Sequence, residues 1–363
     1  MSANGLRERA VVRALAGGRL ERAVAGERLN EAEALSLFDL PLVELGHLAH
    51  QARLRHHPEP VVTYVVDRNI NYSNICISRC RFCAFWRDES APDAYVLTEE
   101  ELARKIEEAL ALGGTQILLQ GGLHPTLPLS WYENLLRFVK RWPIHIHGFS
   151  PPEIMHFAAL SGLSVEETIG RLRSAGLGSI PGGGAEILVE RMRESRSPGK
   201  CTASEWLAVM RSAHKLGLKT TATMMFGEGE TLTERVEHLE RVRALQDETR
   251  GFTAFIPWPF QPGNTALGGE EATAVDYLRT LAVARLYLDN FANLQASWVT
   301  QGPKVGQLSL FFGANDFGST MIEENVVAAA GVSHRMSREE MVRLIEDAGF
   351  SPAQRTQAYE IIG

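Results

Sequence analysis

Apolar residues fall three and four apart over 6–20 (LRERAVVRALAGGRL) and 30–56, a spacing that predicts helices. Asn30 is a fitting N-cap for EAEALSLF, and His47, His50, His56 and His57 are expected on a solvated face. From 61 the period changes. VVTYVVDRNI (61–70) is β-branched and aromatic, hence a strand. Strand and helix signals then alternate. Helices are expected at 98–114, 129–142, 164–176, 203–217, 232–248, 272–290, 303–310 and 337–349. Strands are expected at 115–122, 144–150, 178–188, 219–227, 252–260, 294–300 and 310–316. Thr98 and Glu101 carry a capping-box pattern. Such alternation demands parallel strands joined by right-handed crossovers. About eight units predict an α/β fold, a (β/α)8 TIM-type barrel, with a partial six-unit barrel as the alternative. The chain divides into an N-terminal helical extension (1–58), the barrel (59–350) and a C-terminal tail (351–363).

Composition narrows the function. The 363 residues are 45% hydrophobic and 22% charged, as in soluble globular proteins. No apolar run reaches the roughly 20 residues of a membrane span, and the N-terminus lacks the apolar stretch of a secretory signal. Lys plus Arg number 37 against 44 Asp plus Glu, a net charge of −7 that argues against a nucleic-acid partner.

Three of the four cysteines, Cys76, Cys80 and Cys83, are spaced C-x3-C-x2-C just after the first strand; Cys201 lies far away. A structural zinc site needs a fourth ligand that the neighbourhood lacks, and three clustered cysteines do not make a disulfide scaffold. With Phe82 before the third cysteine, the motif resembles the radical S-adenosylmethionine (SAM) superfamily. The resemblance implies that the three cysteines hold a 4Fe–4S cluster whose fourth iron chelates SAM, and that Phe82 lies beside the adenine. It also implies that Gln120, Gly121 and Gly122, ending the second strand, hold the amino group of SAM. The acidic residue usual after the glycine pair is replaced by Leu123. Glu186, after the PGGG run, suits the ribose or amino group of SAM. Thiolates of this kind require a reducing compartment, the cytoplasm.

In a barrel of this type the C-terminal strand ends carry the chemistry. Arg68 and Asn69, ending the first strand, and Gln295 and Ser297, ending the seventh, are candidate substrate contacts. His147, Asp316 and Glu323 are candidate bases; Arg68 and Lys304 are candidate carboxylate partners. His145 and His147 share one strand face, and a packed core histidine is the plainer reading of either. Arg68 reads equally as a structural ion pair.

DRNINYSNICISRCRFCAFWRD, GGTQILLQGGLHPTLP, IHIHGFSPPEI, SIPGGGAEIL, TTATMMFGEGET and QASWVTQGPKVGQLSLFFGANDFGSTMIEENVV follow in order over 60–335. They resemble the dehypoxanthine futalosine cyclases of the futalosine route to menaquinone. That resemblance implies dehypoxanthine futalosine as substrate and a low-potential electron donor such as flavodoxin or ferredoxin. Aminofutalosine synthases and deazaflavin-cofactor synthases share the motif and the barrel; a non-catalytic Fe–S electron carrier would complete the cluster with a fourth cysteine.

Overall fold

Val61 to Asn71 form one extended run, and the sheet is built around it. The computed structural model describes residues 22–362; the expected helix at 6–20 lies outside them. The run comprises β1 (Val61–Val65) and β2 (Asp67–Asn71), separated only by Val66. β2 pairs in parallel with β3 (Gln116–Gln120). The sheet continues through β4 (His145–Gly148), β5 (Ser179–Ile180), β6 (Lys219–Phe226), β7 (Phe252–Pro259) and β8 (Asn293–Leu294), making seven parallel strands. A parallel bridge from Gln295 to Asp316 leads to β9 (Asp316–Ser319), and β9 pairs with β1. The pairing therefore returns to the segment on which it began. This is the α/β TIM-type architecture that the alternation predicts, with helices in the crossovers.

Several helices start as their sequences dictate. Glu31–Leu37, Glu99–Ala111, Val165–Ala175, Ala203–Lys215 and Leu232–Thr249 each follow an Asn, Ser or Thr whose side chain accepts the N3 amide. A Glu at N3 reaches back in every case. Two orphan amides are thus satisfied at each start.

Several expectations are corrected. PPEIMHFAALS is a helix (Pro151–Ser161), because prolines at the first two positions need no amide partner there. Glu190–Arg196 is a further helix. The seventh strand stops at Leu294, and SWVT, strand-like by propensity, enters a helical stretch (Trp298–Ser309) broken at Gly302 (φ 78°), past which lies the expected helix; the Trp298 indole donates to the Ser319 carbonyl at 2.9 Å. The strand expected at LFFGAND is instead DFGS (Asp316–Ser319): pairing with β1 outweighs the weak propensity of Asp and Gly. His50, His56 and His57 are half-buried, not solvated. Burial holds His56 down to about 4, and His57 Nε2 lies 2.9 Å from the Ala292 carbonyl.

The residues past 350 pack into the barrel. β10 (Ser351–Gln354) pairs in parallel with β1, and the chain then carries Arg355 inside. The Arg355 guanidinium makes two hydrogen bonds to the fully buried Asp316 carboxylate, one of them 2.9 Å from Nη2. Removing one partner of such a pair strands a charge in low dielectric. Arg355→Ala should therefore lower unfolding free energy by about 3–5 kcal/mol, read from the urea midpoint. Arg343→Ala, which breaks only the exposed Arg343–Asp347 pair, should leave that midpoint in place.

Candidate active site

The cysteine loop leaves β2 and is pinned to the end of β3. Gly122 donates to the Ser73 carbonyl at 2.9 Å, and Ile77 to the Leu123 carbonyl at 3.0 Å. A Cβ on Gly122 would stand 2.1 Å from the Ile75 oxygen and 2.8 Å from Cys76 Cβ. No side chain fits there, so glycine is what lets strand end and loop touch. Arg87 ties the loop from within, donating to the carbonyls of Ala84, Phe85 and Trp86 at 3.0, 3.3 and 2.9 Å.

The three thiols are free; Cys80 is buried, and Cys76 and Cys83 are half-buried. Burial pushes Cys80 up to about 11 and also raises Cys83, so neither ionises readily without a positive centre beside it. Among the described residues no three His, Cys, Asp or Glu side chains converge on the position of one metal ion. A 4Fe–4S cluster asks for something else, since each thiolate takes its own iron. Three thiols spread along one pinned loop fit that demand.

A charged group faces the loop. Lys200 Nζ lies 2.9 Å from Glu186 Oε1 and 4.9 Å from the centre of the Phe82 ring. Glu186 holds a left-handed backbone (φ 41°), and its buried Oε2 has no hydrogen-bond partner. Glu228, just past β6, is buried with Oε1 also unpartnered. Burial first, then the neighbouring Glu186, raises its carboxyl well above the usual range. Phe82, Met225, Trp258, Phe260 and Val326 line a half-open space of about 60 Å3 next to Cys83. Sequence reasoning missed Lys200 and Glu228. The GEGE after β6 was a signal for Glu228, being two carboxylates at a strand end; Lys200 had none, because it belongs to no strand end.

Beneath the loop, the buried Glu153 accepts from Gly121 N (3.0 Å), Ser150 N (2.7 Å), Ser150 Oγ (2.5 Å) and Tyr72 Oη (2.6 Å). The Gly121 amide is thus already engaged. Gln120 points at the PGGG turn: a Cβ on Gly183 would meet its Nε2 at 2.5 Å.

The remaining candidates are dispersed. Side chains alternate along β2. Asp67, accepting from Gln116 Nε2 at 2.7 Å, faces the interior, and Arg68 faces the helices. Arg68 pairs there with Glu108 and Glu323, both at 2.6 Å, and Lys105 holds Glu323 as well. Of the two readings of Arg68, the structural ion pair is the one found, with Glu108 and Glu323 as its partners, and Glu323 is not a free base at the mouth. Asp316 begins its strand level with Thr63 instead of ending it, and Arg355 occupies it. His147 is buried between Ser179 Oγ (2.7 Å) and Gln357 of the C-terminal segment (3.3 Å from Nε2). Burial holds it well below the ordinary histidine range. Ser297 Oγ is bonded to Thr300 at 3.0 Å, and Gln295 packs over Gly318. Asn69 is buried with Oδ1 unpartnered.

Gly122→Ala should displace the cysteine loop. After anaerobic reconstitution its iron and sulfide content should fall to a small fraction of the native value. Gly170→Ala, in open space on a helix, should retain full content.

Residues 70–242 match the Radical SAM superfamily model, and residues 249–363 match the CofH/MqnC C-terminal region. The chain is 51% identical over 349 residues to a cyclic dehypoxanthine futalosine synthase of Halalkalibacterium halodurans, covering 95% of this chain and 94% of that protein. The Streptomyces coelicolor protein of the same name is 46% identical over 348 residues, 94% of this chain and 87% of its own. A 5-amino-6-(D-ribitylamino)uracil--L-tyrosine 4-hydroxyphenyl transferase of Methanopyrus kandleri is 42% identical over 350 residues, 93% and 94% of the two chains. The crystal structure of methylornithine synthase shares the fold, with a TM-score of 0.73 at 19% identity over 92% of this chain and 97% of that one. The chain therefore belongs to the radical SAM superfamily, in the family of the cyclic dehypoxanthine futalosine synthases, and its cofactors are a 4Fe–4S cluster and S-adenosylmethionine.

Proposed function

We propose that this radical SAM enzyme cyclises dehypoxanthine futalosine, closing its ribose-derived part onto the benzoate ring. The observation that carries the reading is the identity of 51% and 46% to two cyclic dehypoxanthine futalosine synthases over nearly the whole chain, against 42% to the transferase. In this reading Cys76, Cys80 and Cys83 hold the cluster. Once reduced, the cluster held there would supply the electron for the reductive cleavage of SAM, the source of the radical chemistry at the sugar. A low-potential carrier such as flavodoxin or ferredoxin delivers that electron in the reducing cytoplasm.

The chain's own residues position and exclude. Phe82, Trp258 and Phe260 wall the site with aromatic faces, which limit the access of solvent and solutes to the reacting groups. Asn69 Oδ1 is an unpartnered acceptor suited to a hydroxyl donor, and Glu186 Oε2, which makes no hydrogen bond and lies 3.6 Å from Arg193 Nη1, is suited to an ammonium. Ring closure leaves a radical adduct that must lose one electron, for which the oxidised cluster would be the acceptor, and one proton before aromaticity returns. Asp316 and Glu323 are held by cations and His147 is packed inside the barrel, so Glu228 takes the role of base. A raised carboxyl sits nearer the working pH, where general-base transfer is most effective.

The second reading, tyrosine addition to a ribitylaminouracil, is favoured by the 42% identity over 93% of the chain. A substrate panel decides between them. With SAM and a reductant, dehypoxanthine futalosine should give the cyclised product, and tyrosine with the ribitylaminouracil none; the reverse outcome assigns the transferase activity. Cys80→Ala should lose cluster absorbance and all 5′-deoxyadenosine formation. Glu228→Gln should cut cyclised product by about a hundredfold while 5′-deoxyadenosine still forms. In the native protein product formation should rise with pH as Glu228 loses its proton, above the usual carboxylate range; the Gln variant should lack that limb.

A further inference from the structure

Residues 197–201 (SPGKC) form a turn laid across the cysteine loop, and nothing in the proposed reaction uses its lysine. Its attachment is specific. Arg81 N donates to the Arg196 carbonyl at 3.0 Å, and a Cβ on Gly199 would stand 2.9 Å from the Ser78 oxygen. Behind the turn, the buried Arg193 donates from Nε to the Cys201 carbonyl at 2.9 Å and from Nη1 to the Gly184 and Ala185 carbonyls at 3.1 and 2.9 Å. Held on both sides, the turn delivers the Lys200 ammonium over the ring of Phe82, the residue just before Cys83, with its side chain only 15% exposed. Glu186 is its one hydrogen-bonded anion among the described residues.

A lysine placed so deep carries a desolvation cost that one carboxylate does not obviously repay. The larger negative charge it faces is that of the loop itself. Three thiolates on a 4Fe–4S core carry net negative charge, and reduction adds one more. A fixed cation in a low-dielectric setting stabilises the more negative state.

We propose that Lys200 is a positioning residue for the cluster: its fixed charge raises the reduction potential, and Glu186, its partner, moderates that effect. The inference rests on the three cysteines holding the cluster, and the test separates the two. The reconstituted full-length chain is titrated potentiometrically without SAM, the reduced cluster being followed by electron paramagnetic resonance, with iron and sulfide measured on each sample. A native chain that takes up no cluster defeats the cluster assignment itself. With the cluster loaded, Lys200→Met should shift the reduction equilibrium about tenfold toward the oxidised form, 59 mV for one electron. Lys200→Arg should recover most of the shift. Glu186→Gln should move the equilibrium in the opposite direction, and its titration is decisive where Lys200→Met fails to load. A loaded Lys200→Met within twofold of native, or a Glu186→Gln with no shift or a shift toward the oxidised form, overturns the proposal.

Discussion

One buried carboxylate holds the ends of three successive elements in register below the cysteine loop. Glu153 gathers Tyr72 from just past β2, Gly121 from just past β3 and Ser150 from just past β4. Burial raises its carboxyl, and four donors are what make so deep a carboxylate tolerable. The cysteine loop starts one residue after Tyr72, and the glycine that contacts it follows Gly121. Thiol positions thus depend on a hydrogen-bond knot contributed by a helix two strands away.

The barrel separates its charges by depth. Toward the starts of the strands, Asp316 and Arg355 neutralise each other, and Asp67 is bonded to Gln116 and Ser319. Those groups are satisfied and structural. Near the cysteine loop, Glu186, Glu228 and Asn69 each keep a buried oxygen without a partner. Buried polar atoms left open cost free energy, and they persist where a ligand completes them.

Legibility followed the range of the interaction. The alternation of strand and helix gave the architecture, because side-chain period is a local property of the backbone. Helix starts were equally readable, since Thr98 with Glu101 closes a box within one turn. Short strands were less so. β9 is only four residues containing a glycine, and it exists because β1 offers it a ladder. Trp298 reads as strand until the Ser319 carbonyl claims its indole.

For the site, the sequence by itself determined three thiols on one loop, with glycines at the next strand end, because that motif is contiguous and its spacing is its chemistry. It determined the family for the same reason. Which charged residues stand free was decided only by the tertiary structure. Arg68, Glu323 and Asp316 are polar groups near strand termini like any others, until long-range ion pairs to Glu108, Lys105 and Arg355 consume them. Lys200 becomes a neighbour of Cys80 through a turn more than a hundred residues downstream. Coulomb interaction acts through space, so no reading along the chain alone can rank it.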